Sequence, residues 1–285
     1  MKLSYILATC DRYEIIGETL ESLNGIEGIN RDNFELLIID QSFNNKTYDI
    51  LQSFDFKFEV LYFHSIKKGL SYSRNTGINF STGDYITFVD DDALYDKKIY
   101  ETFVGLSKSN LDMYSGSVRV PHSLDFTQYS QLHEKSKIDM YNFISAITSI
   151  SIFIKRSFIN EKNLRFDEEF GLGAKFSSCE ELDLVYHMLM EGATGLYEPE
   201  LIVYHENPGR YSPEKTYLYS LGHGAFCKKL LLTRVEGEYF PILYTIKKIA
   251  KLVLRFPLSI IKSGYHPISY SKGFLKGYTG YKGKL

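Results

Sequence analysis

Short apolar runs alternate with helix-like stretches from the first residues onward. LSYILA at 3–8 is followed by a helical pattern through Leu20 and Leu23, and then by FELLIID at 34–40. FEVLYF at 58–63, a helix-like segment from Leu70 to Phe80 and DYITFV at 84–89 continue the rhythm. Such a pattern predicts βαβ units and a mostly parallel central sheet flanked by helices, an α/β fold. Ligands bind beyond the carboxyl ends of the strands in sheets of this kind. The residues after each run therefore matter: Thr9, Cys10, Asp11 and Arg12 after the first, Asp40 ending the second, and Asp90, Asp91 and Asp92 after the fourth.

Beyond residue 112 the pattern predicts a strand at 113–120, a polar stretch to Lys137 and an apolar run around 144–154. A glycine-containing loop then leads into a helix over 171–192, and a late strand within 194–210 ends at His205. No internal repeat or low-complexity linker interrupts the chain.

With 285 residues, 44% hydrophobic and 24% charged, the composition excludes a disordered, linker-dominated scaffold. Three widely spaced cysteines, Cys10, Cys179 and Cys227, form no CxxC pair and cannot all bond to one another. This excludes a disulfide framework and a cysteine zinc site and fits a reducing compartment. The apolar run of MKLSYILATCDR is too short for a signal peptide or a membrane span, so a cytoplasmic protein is expected.

The formal charge of -2 hides an asymmetry. From residue 228 on there are twelve Lys/Arg and two acids, whereas residues 1–227 hold 21 basic and 33 acidic residues. The chain is thereby expected to divide into a catalytic domain over 1–210 and a basic extension over 211–285. Within the extension, Ile242, Ile246, Ile249, Val253, Phe256 and Ile260 recur at alternating steps of four and three. Lys248, Lys251, Arg255 and Lys262 follow the same rhythm on the opposite face, with Pro241 suiting a helix start and Pro257 its end. This predicts an amphipathic helix at an anionic membrane interface rather than a nucleic-acid surface. The competing reading packs its basic face on the acidic catalytic part.

Asp90-Asp91-Asp92 is the sharpest chemical feature. Three adjacent carboxylates repel one another unless a cation neutralises them, and hard oxygen ligands suit Mg²⁺ or Mn²⁺. A solvated turn capping a helix that starts near Asp96 is the plainer alternative. Arg74, in GLSYSRNTGINF, is either a surface arginine on an amphipathic helix or a charge-assisted partner for a diphosphate. In Cys179-Glu180-Glu181-Leu182-Asp183, Ser178-x-x-Glu181 and Ser177-x-x-Glu180 each spell a capping box, although three acids in four residues exceed what a cap needs.

The ordered series ILATCDR, LLIIDQS, GLSYSRNTGINFSTGDYITFVDDD and CEELDL resembles family 2 glycosyltransferases of the GT-A, Rossmann-like fold over the first two thirds of the chain. The resemblance implies an inverting, metal-dependent transfer from a nucleotide-sugar donor, commonly UDP-linked, to a glycan or lipid-linked acceptor in surface polysaccharide synthesis. It further implies that Asp90-x-Asp92 holds Mn²⁺ or Mg²⁺ on the donor diphosphate, with Asp91 beside them in the donor site and a late His, here His205, completing the metal shell. Asp40 would read the base, Thr9 and Arg12 would open the nucleotide site, and Arg74 would lie near the donor. Glu181 would be the general base, with Glu180 and Asp183 as acceptor-binding neighbours. Family members often carry Pro and Tyr where Ala8 and Cys10 stand here. A lipid-linked acceptor also implies a peripheral place at the inner face of the cell membrane. Two rivals remain: a catalytically degenerate domain of the same fold that binds glycan or protein, and a sugar-phosphate nucleotidyltransferase, which would need a glycine-rich basic loop that ATCDRYEII lacks.

Overall fold

A computed structural model of the chain describes residues 1–123, 125–207, 209, 211–255 and 266–283, with 251–255 as backbone alone. The predicted strands form where the apolar runs lie: β1 (Leu3–Thr9), β2 (Phe34–Asp40), β3 (Glu59–His64) and β4 (Tyr85–Val89). Helices α1 (Ile16–Asn24), α2 (Lys46–Leu51) and α3 (Leu70–Phe80) connect them. Their order across the sheet is β3-β2-β1-β4, all parallel. Every residue of β2 and β4 and all but Ala8 of β1 is buried, which is why their sequences are mostly apolar instead of alternating, with the polar Ser4, Glu35 and Thr87 buried among them.

The sheet continues from β4 through β8 (Ile152–Lys155), β6 (Met113–Arg119), β9 (Gly195–Tyr204) and β5 (Leu94–Tyr95), with β7 (Ser136–Ile138) also paired to β9. The long β6–β9 ladder is parallel, whereas β8, β7 and β5 pair antiparallel. The nine-stranded sheet is largely parallel and flanked by helices, as expected. Helix α4 (Ile99–Ser107) begins three residues later than its predicted start near Asp96. The apolar run at 144–154 breaks into α5 (Phe143–Ala146), a single 3₁₀ turn at Ser149–Ser151 and β8. Such a run cannot be assigned to one element by periodicity alone.

Helices α6 (Arg156–Glu161) and α7 (Glu180–Met190) precede the long α8 (Pro213–Thr233), α9 (Phe240–Arg255) and α10 (Pro267–Gly280). The start of α8 obeys a signal present in the sequence: Ser212 caps it, its hydroxyl accepting the Lys215 N–H at 3.1 Å, and Pro213 occupies the first turn. Helices α8 and α10 approach backbone to backbone. A Cβ on Gly224 would land on the Phe274 carbonyl, and one on Gly277 on the Leu221 carbonyl, so only glycine fits.

Residues beyond 211 share a core with the preceding part of the chain. Phe226, Leu230, Tyr244, Phe274 and Tyr281 join one buried cluster with Phe170, Phe176, Val185 and Tyr186. Across the same contact Lys229 donates to Asp167 (2.8 Å) and Asp183 (2.7 Å), all three buried. Burial opposes the lysine's charge, but the two carboxylates outweigh it and raise its pKa.

Helix α9 turns Phe240, Tyr244 and Thr245 inward and leaves Leu243, Ile246 and Ile249 exposed. Lys248 is half-buried with its ammonium over the Tyr244 ring, while Lys247 is exposed. The helix is thus held by an aromatic edge between the two predicted faces. Phe256, Pro257, Ile260 and Lys262, and the side chains of Lys251, Val253 and Arg255, lie outside the described residues. None of the described helices is long and apolar enough to cross a membrane.

Candidate active site

The carboxyl ends of β1 and β4 lie side by side because the two strands pair in parallel. That places Thr9 and Arg12 against the three aspartates. Thr9 donates its hydroxyl to Asp91 (2.8 Å), and Arg12 spans Asp91 (3.2 Å) and Asp92 (2.8 Å). Asp92 also meets Nε2 of His205, 3.3 Å away at the end of β9. The third aspartate, Asp90, takes a bond from Arg74 at 3.2 Å. Each carboxylate therefore has a named cation, and the reading as a solvated cap fails: α4 starts at Ile99 without a side-chain cap.

These contacts set the local charge. The His205 imidazole holds the Asp92 carboxyl below its usual range against the effect of burial, and Asp92 in turn raises His205. Asp91, more enclosed, is pushed up by burial despite Thr9 and Arg12. Among the described residues no three His, Cys, Asp or Glu side chains converge as a ready metal cage. A hard divalent ion at a nucleotide diphosphate, however, is held through one or two carboxylates plus phosphate oxygens and water. Asp92 with His205, and Asp90 nearby, fit that requirement, since Asp90 and Asp92 each keep about two fifths of their surface open.

Arg74 is the pivot of the site. It sits on α3, 1% exposed, and its second nitrogen bonds Glu180 at 2.9 Å. This rules out a surface arginine. Glu180 is therefore spoken for, and the capping-box reading of the SSCEE sequence does not survive. The N-cap of α7 is Cys179 with φ 72° and no side-chain cap bond, while Ser178 donates instead to the Tyr219 carbonyl at 2.8 Å.

Among the described residues no salt bridge reaches Glu181. Burial first, and the neighbouring Glu180 charge next, push its carboxyl up to about 8, with Arg74 opposing. It lines a cavity of about 370 Å³ together with Arg74, Asp90, Glu180 and His205. A more open groove of about 720 Å³ between α1 and the turn after β5 gathers none of these residues.

Of the expected residues, Thr9, Arg12, Asp91 and Asp92 do not line this cavity but connect to it through the contact of Asp92 with His205, whereas Asp183 and Asp40 are bound elsewhere. Asp183, one turn along α7, is 2% exposed and bound to Lys229. Asp40 is fully buried, its two oxygens accepting the Tyr62 hydroxyl (2.8 Å) and the Ser42 N–H (2.8 Å). Beside Asp40 the chain presents a ring the sequence reading missed. Phe43 is 87% exposed, with the Lys68 ammonium 4.1 Å above it and also 3.2 Å from the Cys10 thiol. The loop Gly171–Lys175 is pinned to α3, the Leu70 N–H donating to the Leu172 carbonyl at 2.9 Å, and Leu172 lines the cavity. Arg210 lies outside the described residues. Tyr129, Tyr211, Tyr219 and His223 also line the cavity and were not singled out from sequence. The i, i+4 spacing of Tyr219 and His223 marks a shared helix face, but nothing local says which face meets the site.

Comparison with known proteins gives a family and a fold. The family model "Glycosyl transferase family 2" matches residues 4–182, from β1 into α7. A glucosyl-dolichyl phosphate glucuronosyltransferase of Haloferax volcanii is 32% identical over 126 residues, 42% of this chain and 39% of that protein. A GalNAc(5)-diNAcBac-PP-undecaprenol beta-1,3-glucosyltransferase of Campylobacter jejuni is 23% identical over 179 residues, 59% of this chain and 56% of that protein. The chain thus spans less than two thirds of either relative. Among solved structures, S. aureus TarS 1–349 in complex with UDP-GlcNAc superposes with a TM-score of 0.69 at 16% identity, covering 98% of this chain and 82% of that one. The mannosyltransferase PcManGT from Pyrobaculum calidifontis, in complex with GDP-Man and Mn2+, gives 0.68 at 14% identity, covering 99% and 88%. These structural likenesses carry the fold. With a GT-A sheet and a family match that runs from β1 through the three aspartates to Glu181, the chain belongs to glycosyl transferase family 2.

Proposed function

We propose that the protein transfers a sugar with inversion from a nucleotide-diphosphate donor, UDP-linked in the first instance, to a glycan or lipid-linked acceptor in surface polysaccharide synthesis. The observation that carries this reading is Glu181: a carboxylate that no salt bridge reaches among the described residues, facing the same cavity as Asp90, Arg74 and His205. A raised pKa suits a general base working near neutral pH. In the reaction Glu181 accepts the proton of the acceptor hydroxyl as that oxygen bonds to the anomeric carbon. The bond from that carbon to the diphosphate oxygen breaks, and the nucleoside diphosphate leaves with the electron pair. No covalent enzyme intermediate is needed.

Arg74 orients Glu180 and Asp90, which fixes α7 against the end of β4. Arg12 and Thr9 hold Asp91 and Asp92 in place. Asp92, His205 and Asp90 would hold Mn²⁺ or Mg²⁺, which when bound supplies positive charge to the departing diphosphate. On the base side Phe43 offers a stacking face near Asp40, the role that Cys10 cannot fill. The TarS complex with UDP-GlcNAc and the PcManGT complex with Mn2+ support this reading by analogy of fold.

We also place residues 1–210 as the donor and catalytic part, and 211–285 as an extension that meets an anionic bilayer from the cytoplasmic side. What supports this is the exposure of Leu243, Ile246 and Ile249 on α9, and of Ile268 and Leu275 with Lys272 and Lys276 on α10. Acceptors named for the relatives include lipid-linked ones. A thermal-shift screen of UDP, GDP, dTDP and CMP sugars with Mn²⁺ or with EDTA tests the donor reading. A metal-dependent rise with one nucleotide is expected, and no rise with any of them contradicts it.

A further inference from the structure

Lys229 on α8 is a buried charge that the reaction above does not use. It lies beyond residue 182, where the family match ends, and it does not line the cavity. Its ammonium sits 5.2 Å over the Phe170 ring and donates to Asp167 (2.8 Å) and Asp183 (2.7 Å), which belong to different parts of the chain. Asp183 is in the first turn of α7 with Glu180 and Glu181, and its other oxygen lies 3.6 Å from Nε2 of His187. Asp167 precedes a loop that packs on Glu180: a Cβ on Gly171 would come within 3.4 Å of the Glu180 carboxyl carbon.

That loop is tied to α3 along its length. The Asn75 side chain accepts the Phe166 N–H and donates to the Phe166 carbonyl, both at 2.9 Å. Ser71 donates to the Phe170 carbonyl at 2.6 Å, and the Leu70 N–H to Leu172. Because α3 also carries Arg74, the loop and the guanidinium move as one unit. Helix α7 has to meet this unit so that Glu180 reaches Arg74 at 2.9 Å. Its own start supplies little to hold it there. Cys179 at the N-cap has φ 72°, a conformation that residues with side chains rarely adopt, and makes no side-chain cap bond. The three acids that follow repel one another. One ammonium, with its three N–H donors, bonds both the loop and the helix.

We propose that Lys229 is a positioning residue for the transfer: by clamping Asp183 to Asp167 it sets the first turn of α7 against α3, and thereby the place of Glu181 and the grip of Glu180 on Arg74. The inference rests on the glycosyltransferase reading and deepens it, because a side chain outside the family match then sets the geometry of the carboxylates at its end. A misplacement of about 1 Å can cost about a hundredfold in rate. The clamp should act on kcat and spare donor binding, since Thr9, Arg12, Asp91 and Asp92 follow β1 and β4 and make no bond to Lys229.

The test separates position from stability in the full chain. Asp183→Asn frees α7 from the clamp but leaves the Lys229 charge balanced by Asp167. A triple variant, Lys229→Met with Asp167→Asn and Asp183→Asn, removes the buried charges together and should melt within about five degrees of wild type. The substrates are UDP-glucose, UDP-N-acetylglucosamine and GDP-mannose with Mn²⁺, read as released nucleoside diphosphate at a temperature at which every variant is folded. In the triple variant kcat should fall by about tenfold or more with donor KM within about twofold, and in Asp183→Asn it should fall in the same sense. Hydrogen exchange over residues 177–186 should quicken by about tenfold in both variants, while β1 and β4 keep their protection. Wild-type kcat in both variants, or unchanged exchange over 177–186 in both, overturns the clamp. A wild-type protein that neither binds nor cleaves any of the three nucleotide sugars overturns the glycosyltransferase reading instead. The exchange comparison needs no turnover, so the two failures are distinguishable.

Discussion

Two acidic clusters face each other across the cleft, and they are neutralised differently. Asp90, Asp91 and Asp92 follow β4 and meet three cationic side chains, Arg74, Arg12 and His205. Glu180 and Glu181 open α7, and among the described residues Arg74 is the one cation in a salt bridge with them, through Glu180. The outcome differs residue by residue: His205 holds Asp92 below the usual carboxyl range, burial raises Asp91 in spite of Arg12, and burial with the Glu180 charge pushes Glu181 up to about 8. Neighbouring acids of one type thus acquire different chemistry according to their burial and the cations that reach them. Asp92 is held charged, as a cation site requires, while Glu181 is able to exchange a proton.

Asp92→Ala should break the first cluster with the largest effect. It removes the partner of both Arg12 and His205 together with a carboxylate that, in the proposed function, would hold the metal, and transfer should fall by roughly a thousandfold or more, the several kcal/mol that a metal supplies to a leaving oxygen. Activity in excess EDTA equal to that with Mn²⁺ would contradict this assignment.

Lys229→Met sharpens the other side. It strands the buried Asp167 and Asp183 and should destabilise the protein by about 3–5 kcal/mol, read as a shift in the urea midpoint. Asp183→Asn should leave the KM for the acceptor unchanged if Asp183 serves α7 rather than the acceptor.

A smaller effect is expected from pH. A base with a pKa of about 8 is mostly protonated at pH 7, so the transfer rate should rise by about tenfold between pH 7 and 9. Stability should move the other way. The folded state keeps a proton that the unfolded chain, with a carboxyl pKa of 4.5, has released, so stability falls as pH rises from 4.5 through about 8. Glu181→Gln should flatten that slope in a series of thermal melts.

The smallest effect is at the surface of α9. Ile246→Glu with Ile249→Glu should reduce co-sedimentation with anionic liposomes several-fold while leaving donor binding intact. Substitution is preferred to truncation because α8–α10 share the catalytic core. Equal sedimentation of both proteins would remove the membrane reading.

The donor half of the cleft was legible in the sequence because its residues follow short, fully buried strands. The run ends at Thr9, Asp40 and Val89 coincide with strand ends, and parallel pairing then brings Thr9 and Arg12 to the aspartates. Arg74 was legible only through its motif, since its burial depends on Glu180, 106 residues away. The tyrosine and histidine side of the cavity was not legible. Tyr219 and His223 meet the cavity because Gly222 seats α8 on Ser178, a long-range contact that no local periodicity encodes. For the same reason Asp183 read as a site residue, although Lys229, 46 residues on, binds it within the core.

Glu180→Gln and Glu181→Gln, compared side by side for transfer rate and melting temperature, decide whether Glu180 holds the site together while Glu181 takes the proton. Glu181→Gln should lose about a hundredfold to ten-thousandfold in kcat, with donor affinity and melting temperature held or raised. Glu180→Gln should lower the melting temperature, because it takes a carboxylate from the buried Arg74. A Glu181→Gln protein that keeps its rate and melts earlier would contradict the account, for it would make Glu181 the structural residue of the pair.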